Sequence, residues 1–149
     1  MIVVKELTTR YQSRRIEGEI SNKTLDSPKN VAKIFKELFP DASEEYFISF
    51  IVDNKNTLQN YSLVSKGTLT ESIVHPREIY KTAILSNAAS IILAHNHPSG
   101  ILNPSREDIS VTKRIQEAGL ILGIRLIDHV IVDCNEGNYF SFKEQGDLC

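Results

Sequence analysis

Only two cysteines occur among the 149 residues, Cys134 and Cys149, and the second is the last residue. Two well-separated thiols cannot form a disulfide framework or a zinc cluster of the cysteine type. The chain must therefore fold without covalent cross-links. We expect both cysteines to be free thiols in a reducing compartment.

The sequence also has no apolar run long enough to span a bilayer. Its first residues, Met1–Leu7, acquire charge too early to act as a secretory signal. Internal repeats and low-complexity stretches are missing as well. These absences predict a protein with no membrane partner, and a cytoplasmic location follows by default.

An excess of charge of one sign is the third thing the sequence lacks, because 17 basic residues face 19 acidic ones and the formal net charge is −2. This near-balance argues against a protein that grips nucleic acid mainly through bulk charge. Two small basic pairs remain that could contact nucleic acid locally, Arg14 with Arg15 and Lys113 with Arg114.

What the sequence does contain is enough for one compact domain. A length of 149 residues fits one domain, and a hydrophobic fraction of 41% can build a core. We predict an N-terminal arm over residues 1–26, with an edge strand at Ile2–Thr9, and a domain over residues 27–149. Helical and strand patterns alternate within that domain, which indicates an α/β fold with helices packed on a sheet.

The predicted elements follow from helix caps, prolines and apolar runs. One helix begins at Ser27-Pro28 and closes at Pro40, and a second begins at Pro76. A third begins at Ser105 and ends at Gly119 and Gly123, with Ile109, Thr112, Ile115 and Gln116 on one face. The predicted strands are Tyr46–Asp53, Thr57–Ser65, Ser90–Ala94, Ile124–Val132 and Tyr139–Phe142.

The informative segment is His95–Asp108, H-N-H-P-S-G-I-L-N-P-S-R-E-D. His95 and His97 come directly after the apolar strand, and residues two apart on an extended backbone point to the same side. Asp108, in the first turn of the helix that Ser105 begins, could reach back towards both imidazoles. Two nitrogens and one carboxylate oxygen suit Zn²⁺ and leave a fourth position open, as catalytic zinc sites do. Iron or manganese could occupy the same ligand set.

Spacing over a longer stretch extends this interpretation. H-x-H, seven residues, then S-x-x-D describes His95, His97, Ser105 and Asp108 position by position. This pattern resembles the metal-binding motif of the JAB/MPN family, the JAMM motif. The closest likeness is to the RadC-like branch, carried by five segments: VSKGTL at Val64–Leu69, VHPREIYKTAI at Val74–Ile84, HNHPSG at His95–Gly100, PSRED at Pro104–Asp108 and IDHVIV at Ile127–Val132.

The resemblance implies a fold and a set of roles. The fold would be a JAB/MPN-type curved mixed sheet flanked by helices, similar to that of cytidine deaminases. His95, His97 and Asp108 would be the zinc ligands. In JAMM peptidases a glutamate upstream of H-x-H shuttles a proton, and the serine of S-x-x-D steadies the oxyanion. Ser105 occupies that serine position.

The glutamate is less well defined by sequence. Glu45 precedes the first long strand, where the JAMM glutamate lies, and is the candidate general acid/base. Glu78 is the rival, although it also fits an exposed first-turn residue stabilised by the helix dipole.

The other two histidines and two polar neighbours have structural interpretations. We expect His75 to shape a helix entrance, and His129 to be either a core residue or one that orients a ligand by a hydrogen bond. Asn96 should point away from the metal, and Ser99 should stabilise a turn.

Three functions remain open at this stage. The first is a zinc-dependent metallopeptidase or isopeptidase acting on an unidentified peptide or protein. The second is a role in DNA repair, but no room exists before Ser27 for the helix-hairpin-helix region of full-length RadC-like proteins, so we expect a short form and only indirect nucleic-acid association. The third is a scaffold that does not use its metal site. A homo-oligomer is compatible with all three.

Overall fold

The computed structural model describes residues 1–13, 24–67 and 74–148. Its helices are α1 Pro28–Leu38, α2 Pro76–Leu85 and α3 Arg106–Leu122. Its strands are β1 Tyr46–Val52, β2 Leu58–Lys66, β3 Ser90–Asn96, β4 Arg125–Val132 and β5 Tyr139–Ser141. Within these described ranges, no helix combines the length and the apolar character that crossing a membrane requires.

The five strands form one mixed sheet in the order β2-β1-β3-β4-β5. Helix α3 connects β3 to β4, and these two strands are parallel, whereas the other neighbouring pairs are antiparallel. The three central strands are buried along almost their whole length, as expected for strands covered on both faces. The predicted α/β fold with a mixed sheet flanked by helices, consistent with a JAB/MPN domain, is confirmed.

The two faces of the sheet carry separate cores. Helix α1 covers one face, whose buried residues are Leu25, Val31, Ala32, Ile34, Phe35, Leu38, Ile48, Phe50, Val52, Ile92, Ala94, Val130 and Val132. Helices α2 and α3 cover the other, whose buried apolar residues include Phe47, Ile51, Ile79, Tyr80, Ala83, Ile91, Leu93, Val111, Ile115, Leu126, Ile131 and Phe142. We call these the α1 face and the α3 face.

A bulge in β4 decides which of its side chains reach the α3 face. Leu126 and Ile131 both belong to that core although they are five positions apart, an odd offset. Strict alternation would place them on opposite faces, but the pairing with β3 shifts by one residue after Leu126. As a consequence His129, and not Asp128, lies on the α3 face.

Helix boundaries agree with the local signals in sequence. The Ser27 hydroxyl caps α1, and the helix ends at Leu38, before Pro40. The His75 ring accepts a hydrogen bond from the backbone N–H of Arg77 and so caps α2, as expected of a residue that shapes the helix entrance.

Two details of α3 differ from the prediction. Gly119 lies inside the helix and does not end it. Glycine is required there because a Cβ would collide with the Tyr80 hydroxyl and lie 2.5 Å from the carbonyl of Ile124. The helix ends at Gly123, whose φ of 71° is left-handed. Ile109 is exposed, contrary to the prediction. The buried face of α3 includes two polar residues that find partners at the sheet, and its members are Asp108, Val111, Thr112, Ile115 and Gly119.

The edge strand predicted at Ile2–Thr9 is wrong. Residues 1–13 form neither helix nor strand and are exposed, so their β-branched side chains gain nothing from a neighbouring strand. Arg14, Arg15 and Cys149 lie outside the described residues. Cys134 forms no disulfide, and burial raises the pKa of its thiol to about 11.

Candidate metal centre

The residues of the H-x-H motif lie at the carboxyl end of β3, beside the first turn of α3. His95 belongs to the strand and is fully buried on the α3 face. The strand ends at Asn96, two residues beyond the predicted end at Ala94. His97 follows the last strand residue, and its side chain is 16% exposed. Asp108, in the first turn of α3, is also buried. The crossover from β3 to α3 thus places all three side chains together.

Their ligand atoms converge. The Nε2 atoms of His95 and His97 are 3.0 Å apart. Asp108 Oδ1 lies 3.1 Å from Nε2 of His95, and Asp108 Oδ2 lies 3.3 Å from Nε2 of His97. These separations are close to the roughly 3.3 Å between two ligands of a tetrahedral zinc ion with bonds of about 2.0–2.1 Å.

Asp108 is held in place by a capping box at the start of α3. Its Oδ2 accepts a hydrogen bond from the backbone N–H of Ser105 at 2.7 Å, and the Ser105 hydroxyl accepts one from the backbone N–H of Asp108 at 3.1 Å. Burial alone would raise the pKa of Asp108, but the adjacent imidazoles of His95 and His97 lower it well below its usual range. The carboxylate is therefore ionised at neutral pH, at the end of the helix that favours negative charge.

The loop after β3 orients His97. Its Nδ1 lies 2.6 Å from the backbone carbonyl of Ile101, and a carbonyl can only accept, so Nδ1 carries the proton and Nε2 has a free lone pair. Gly100 lets the loop turn back in this way, because its φ of 77° is left-handed. Burial would lower the pKa of His97, but Asp108, the Ile101 carbonyl and the charge of Glu45 raise it.

His95 is held from behind by two residues. Its Nδ1 lies 2.8 Å from Nε2 of His129, and Nδ1 of His129 lies 2.6 Å from the hydroxyl of Thr112. Thr112 in turn donates a hydrogen bond to the backbone carbonyl of Asp108 at 2.6 Å. His129 is fully buried, and burial, with the neighbouring His95, lowers its pKa well below the ordinary value. Of the two interpretations that the sequence left open for His129, the structure favours the orienting contact.

These side chains suit a divalent cation. Asp108 Oδ1 is buried and has no hydrogen-bond donor of suitable geometry among the described residues. It lies 3.1 Å from Nε2 of His95, which is itself 3.0 Å from Nε2 of His97. Convergent lone pairs in a buried position repel one another unless a cation compensates them. Two imidazoles and one carboxylate form the donor set that zinc accepts in open sites.

Glu45 approaches the same atoms from the sheet side. It immediately precedes β1, is half-buried, and offers a carboxylate oxygen within 4.8 Å of ring nitrogens of His95 and His97. Glu45, His95 and His97 could therefore also hold a metal ion as a group. Glu78, the rival, lies in the first turn of α2, where it is exposed and bound to Lys81 at 2.7 Å.

Asn96 positions the segment that carries Glu45. Its Oδ1 accepts a hydrogen bond from the backbone N–H of Tyr46 at 2.8 Å, and its Nδ2 donates to the carbonyls of Ala42 and Glu44 at 3.3 and 2.9 Å. The side chain is buried and turned away from the histidine cluster, as strand alternation predicted. One amide thus ties both flanks of Glu45 to the H-x-H strand.

Two contacts at the site had weak signals in sequence or none. Thr112 lies one helical turn after Asp108, so its place on the same face was visible, but its contact with His129 was not. The role of Asn96 required knowing that β1 pairs with β3. Ser99 stabilises its turn as expected, by accepting a hydrogen bond from the N–H of Ile101 at 3.3 Å.

Comparison with known proteins places the sequence among its relatives. The family model described as RadC-like JAB domain matches residues 25–147. Similar curated proteins, each described as a UPF0758 protein, occur in Geotalea uraniireducens (strain Rf4), with 44% identity over 141 residues, and in Rubrobacter xylanophilus (strain DSM 9941 / JCM 11954 / NBRC 16129 / PRD-1), with 43% identity over 148 residues. These matches cover 95% and 99% of this chain but 60% and 63% of the relatives. The chain thus spans about three fifths of the length of the curated relatives that it matches.

Proposed function

The chain belongs to the RadC-like JAB domain family, as its motifs predicted, and from that membership we propose that it is a zinc-dependent hydrolase of the JAMM type. Its substrate would be a peptide or protein containing an amide or isopeptide bond. The observation that carries the proposal is the convergence of the Nε2 atoms of His95 and His97, 3.0 Å apart, with the carboxylate of Asp108, whose Oδ1 and Oδ2 lie 3.1 and 3.3 Å from them. A general acid/base candidate, Glu45, lies beside them.

The same three side chains are those that would hold the metal. Two enter through their Nε2 atoms, and Asp108 through the oxygen that lacks a hydrogen-bond donor. A bound zinc ion supplies Lewis acidity, which polarises a carbonyl and makes water a nucleophile near neutral pH. Proton transfer and stabilisation of the developing negative charge would be carried out by the neighbouring side chains.

Glu45 is proposed as the group that moves the proton. Its half-buried carboxylate lies within reach of the centre but is not needed to complete the three-ligand set. It would accept a proton from the attacking water and deliver it to the nitrogen of the leaving amine as the C–N bond breaks. The Asn96 side chain would fix the position of the Glu45 carboxylate, because it holds the backbone of Glu44 and Tyr46 on either side.

Ser105 is proposed to stabilise the negative charge that develops on the carbonyl oxygen. Its Oγ uses a lone pair to accept from the backbone N–H of Asp108, so its own hydrogen can be donated elsewhere. The residue is exposed and lies three positions before Asp108. The Ser105 hydroxyl would thus cap α3 with its oxygen and donate its hydrogen to the carbonyl oxygen of the substrate.

The first test is elemental analysis of the wild type and of His97→Ala, both purified without added metal or chelator. We expect about one zinc per chain in the wild type and a large loss in the variant, because one of three ligands is gone. A wild type that contains no metal and takes up no added zinc would overturn the proposal and favour an assembly role.

The second test addresses chemistry. Peptide and isopeptide substrates would be screened with the zinc-loaded wild type, with Glu45→Gln, and with Glu78→Gln as a matched control on an exposed helix. We expect Glu45→Gln to retain zinc and to lose at least about 100-fold in kcat, in line with loss of general acid/base catalysis. Equal losses in both variants, or none in either, would remove Glu45 from the mechanism.

A further inference from the structure

His129 is a fully buried histidine that the proposed reaction does not use. Its ring stacks on Phe142, with ring centroids 5.0 Å apart and an interplanar angle of 7°, and meets the edge of Phe47 at 5.4 Å. These aromatic contacts fix the plane of the ring. Its two nitrogens face two different polar partners, His95 and Thr112.

The direction of the hydrogen bonds in this chain of contacts is determined from its far end. The backbone carbonyl of Asp108 can only accept, and it lies 2.6 Å from the Thr112 hydroxyl. Two lone pairs at that distance would repel, so the single hydroxyl hydrogen of Thr112 must point at the carbonyl. The Thr112 oxygen then has only lone pairs left for Nδ1 of His129, 2.6 Å away.

It follows that Nδ1 of His129 donates to Thr112. No carboxylate forms a hydrogen bond with this ring among the described residues, and a fully buried imidazolium without a bonded counter-ion is costly. The ring is therefore neutral, with its proton on Nδ1 and a lone pair on Nε2. That lone pair faces Nδ1 of His95 at 2.8 Å, so Nδ1 of His95 must be the donor.

We propose that His129 and Thr112 form a hydrogen-bonded relay, ending at the carbonyl of Asp108, that holds the proton of His95 on Nδ1 and so leaves Nε2 as the ligating atom. Both are positioning residues, and the inference rests on the metal site proposed above. Asp108 then acts twice, through its carboxylate beside the metal position and through its backbone carbonyl at the end of the relay.

The relay would fix the tautomer of His95, as the loop after β3 fixes that of His97. His97 has the Ile101 carbonyl next to its Nδ1 and needs no intermediary. His95 lies in β3, between β1 and β4, and its Nδ1 faces the buried ring of His129. Through His129 and Thr112 it is connected to a backbone carbonyl acceptor, that of Asp108.

The most specific test uses Thr112, whose hydroxyl bonds to the backbone carbonyl of Asp108 and to the ring of His129. In the metal-free protein, ¹⁵N shifts of the histidine rings report which nitrogen of His95 is protonated, with signals assigned by His95→Gln and His129→Gln. We expect His95 to be the Nδ1–H form in the wild type and in Thr112→Ser. In Thr112→Val, Nδ1 of His129 loses its acceptor, so His129 can carry its proton on Nε2 instead and donate it to Nδ1 of His95. We therefore expect a substantial population of His95 with its proton on Nε2.

Zinc affinity gives a second readout, measured by competition between each variant and a chromophoric chelator. Thr112→Val should bind zinc up to about tenfold more weakly, and His129→Phe about 10- to 100-fold more weakly, the range for loss of a residue that orients a metal ligand. His129→Gln should recover part of that loss, because its amide oxygen can accept from His95 while its nitrogen donates to Thr112. Thermal unfolding of each variant identifies any that fail to fold.

The outcomes separate this inference from the proposed function. Wild type that binds zinc, with His95 protonated on Nδ1 and shifted by Thr112→Val, supports both. Wild type that binds zinc with His95 protonated on Nε2, or with Thr112→Val unchanged in tautomer and affinity, overturns the relay alone. Wild type that fails to bind added zinc overturns the metal site, whatever the ring shifts show.

Discussion

The two faces of the sheet differ in what they bury. The core of the α1 face consists of apolar side chains, with Phe35, Ile48 and Phe50 fully enclosed, and its buried Asn96 is hydrogen-bonded to the backbone around Glu45. The α3 face is apolar under α2, but at the carboxyl end of β3 it buries His95, His129, Thr112 and Asp108. Buried polar groups contribute little net stability even when they are hydrogen-bonded. The comparison indicates that the α1 face mainly stabilises the fold, whereas the end of the α3 face has the buried polar groups that the proposed metal site requires.

The largest expected effect is on the α1 face. Phe35→Ala would remove a fully buried ring, and the free energy of unfolding should fall by about 3–5 kcal/mol. Urea unfolding of the metal-free protein measures this loss. Zinc affinity of the folded variant should stay within a few-fold of wild type, and a large parallel loss of affinity would show that the two faces are not independent.

A smaller effect, which couples fold to site, is expected at the bulge of β4. Asp128 Oδ1 accepts from the backbone N–H groups of His129 and Lys143, and Oδ2 accepts from the Ser141 hydroxyl. Asp128→Ala should lower the free energy of unfolding by about 2–3 kcal/mol, because it leaves buried donors without acceptors.

The same substitution should weaken zinc binding, since the bulge is what turns His129 towards His95. Asp128→Asn, which keeps one acceptor oxygen, is the matched variant and should lose less of both quantities. Unchanged zinc affinity in a destabilised Asp128→Ala would mean that the orientation of His129 does not depend on this carboxylate.

Removing a ligand should have a smaller effect on stability than either change. Above the pKa of His97, where that ring no longer pairs with the carboxylate as a cation, Asp108→Asn keeps a side-chain oxygen for the capping box, so the metal-free protein should change by less than about 1 kcal/mol. Zinc binding should nevertheless be lost, as elemental analysis would show. A loss of several kcal/mol in the metal-free state would contradict the view that this end of the α3 face is built for binding.

The smallest expected effect is a pH dependence of the metal-free protein. The pKa of His97 is raised in the folded state, because Asp108, the Ile101 carbonyl and Glu45 together outweigh burial. Its contribution to stability is therefore present below the unfolded pKa of about 6.5 and is lost as pH rises through the folded value. Urea midpoints of the metal-free wild type should fall from pH 6 to pH 8, and His97→Gln should reduce that slope. An unchanged slope would show that another group is responsible.

Much of the fold was accessible from local signals. Ser27-Pro28 and Ser105 mark helix starts because a cap needs only the residues next to it. The strand from Tyr46 and the apolar run from Ser90 were found because central strands require continuous apolar sequence. The strand at Ile2–Thr9 was wrong for the complementary reason, since β-branched residues form a strand only when a partner strand is available.

The candidate site divides in the same way. The sequence by itself determined the H-x-H pair, the S-x-x-D start of α3 and their closeness along the chain, because strand period and helix capping act within a few residues. Only the tertiary structure decided that a bulge turns His129 to the α3 face and that Thr112 lies behind it. It alone also placed Glu45 beside the histidines through Asn96. These contacts join residues 17 to 52 positions apart. Which residues meet at such separations depends on how the strands pair, and no local pattern specifies that.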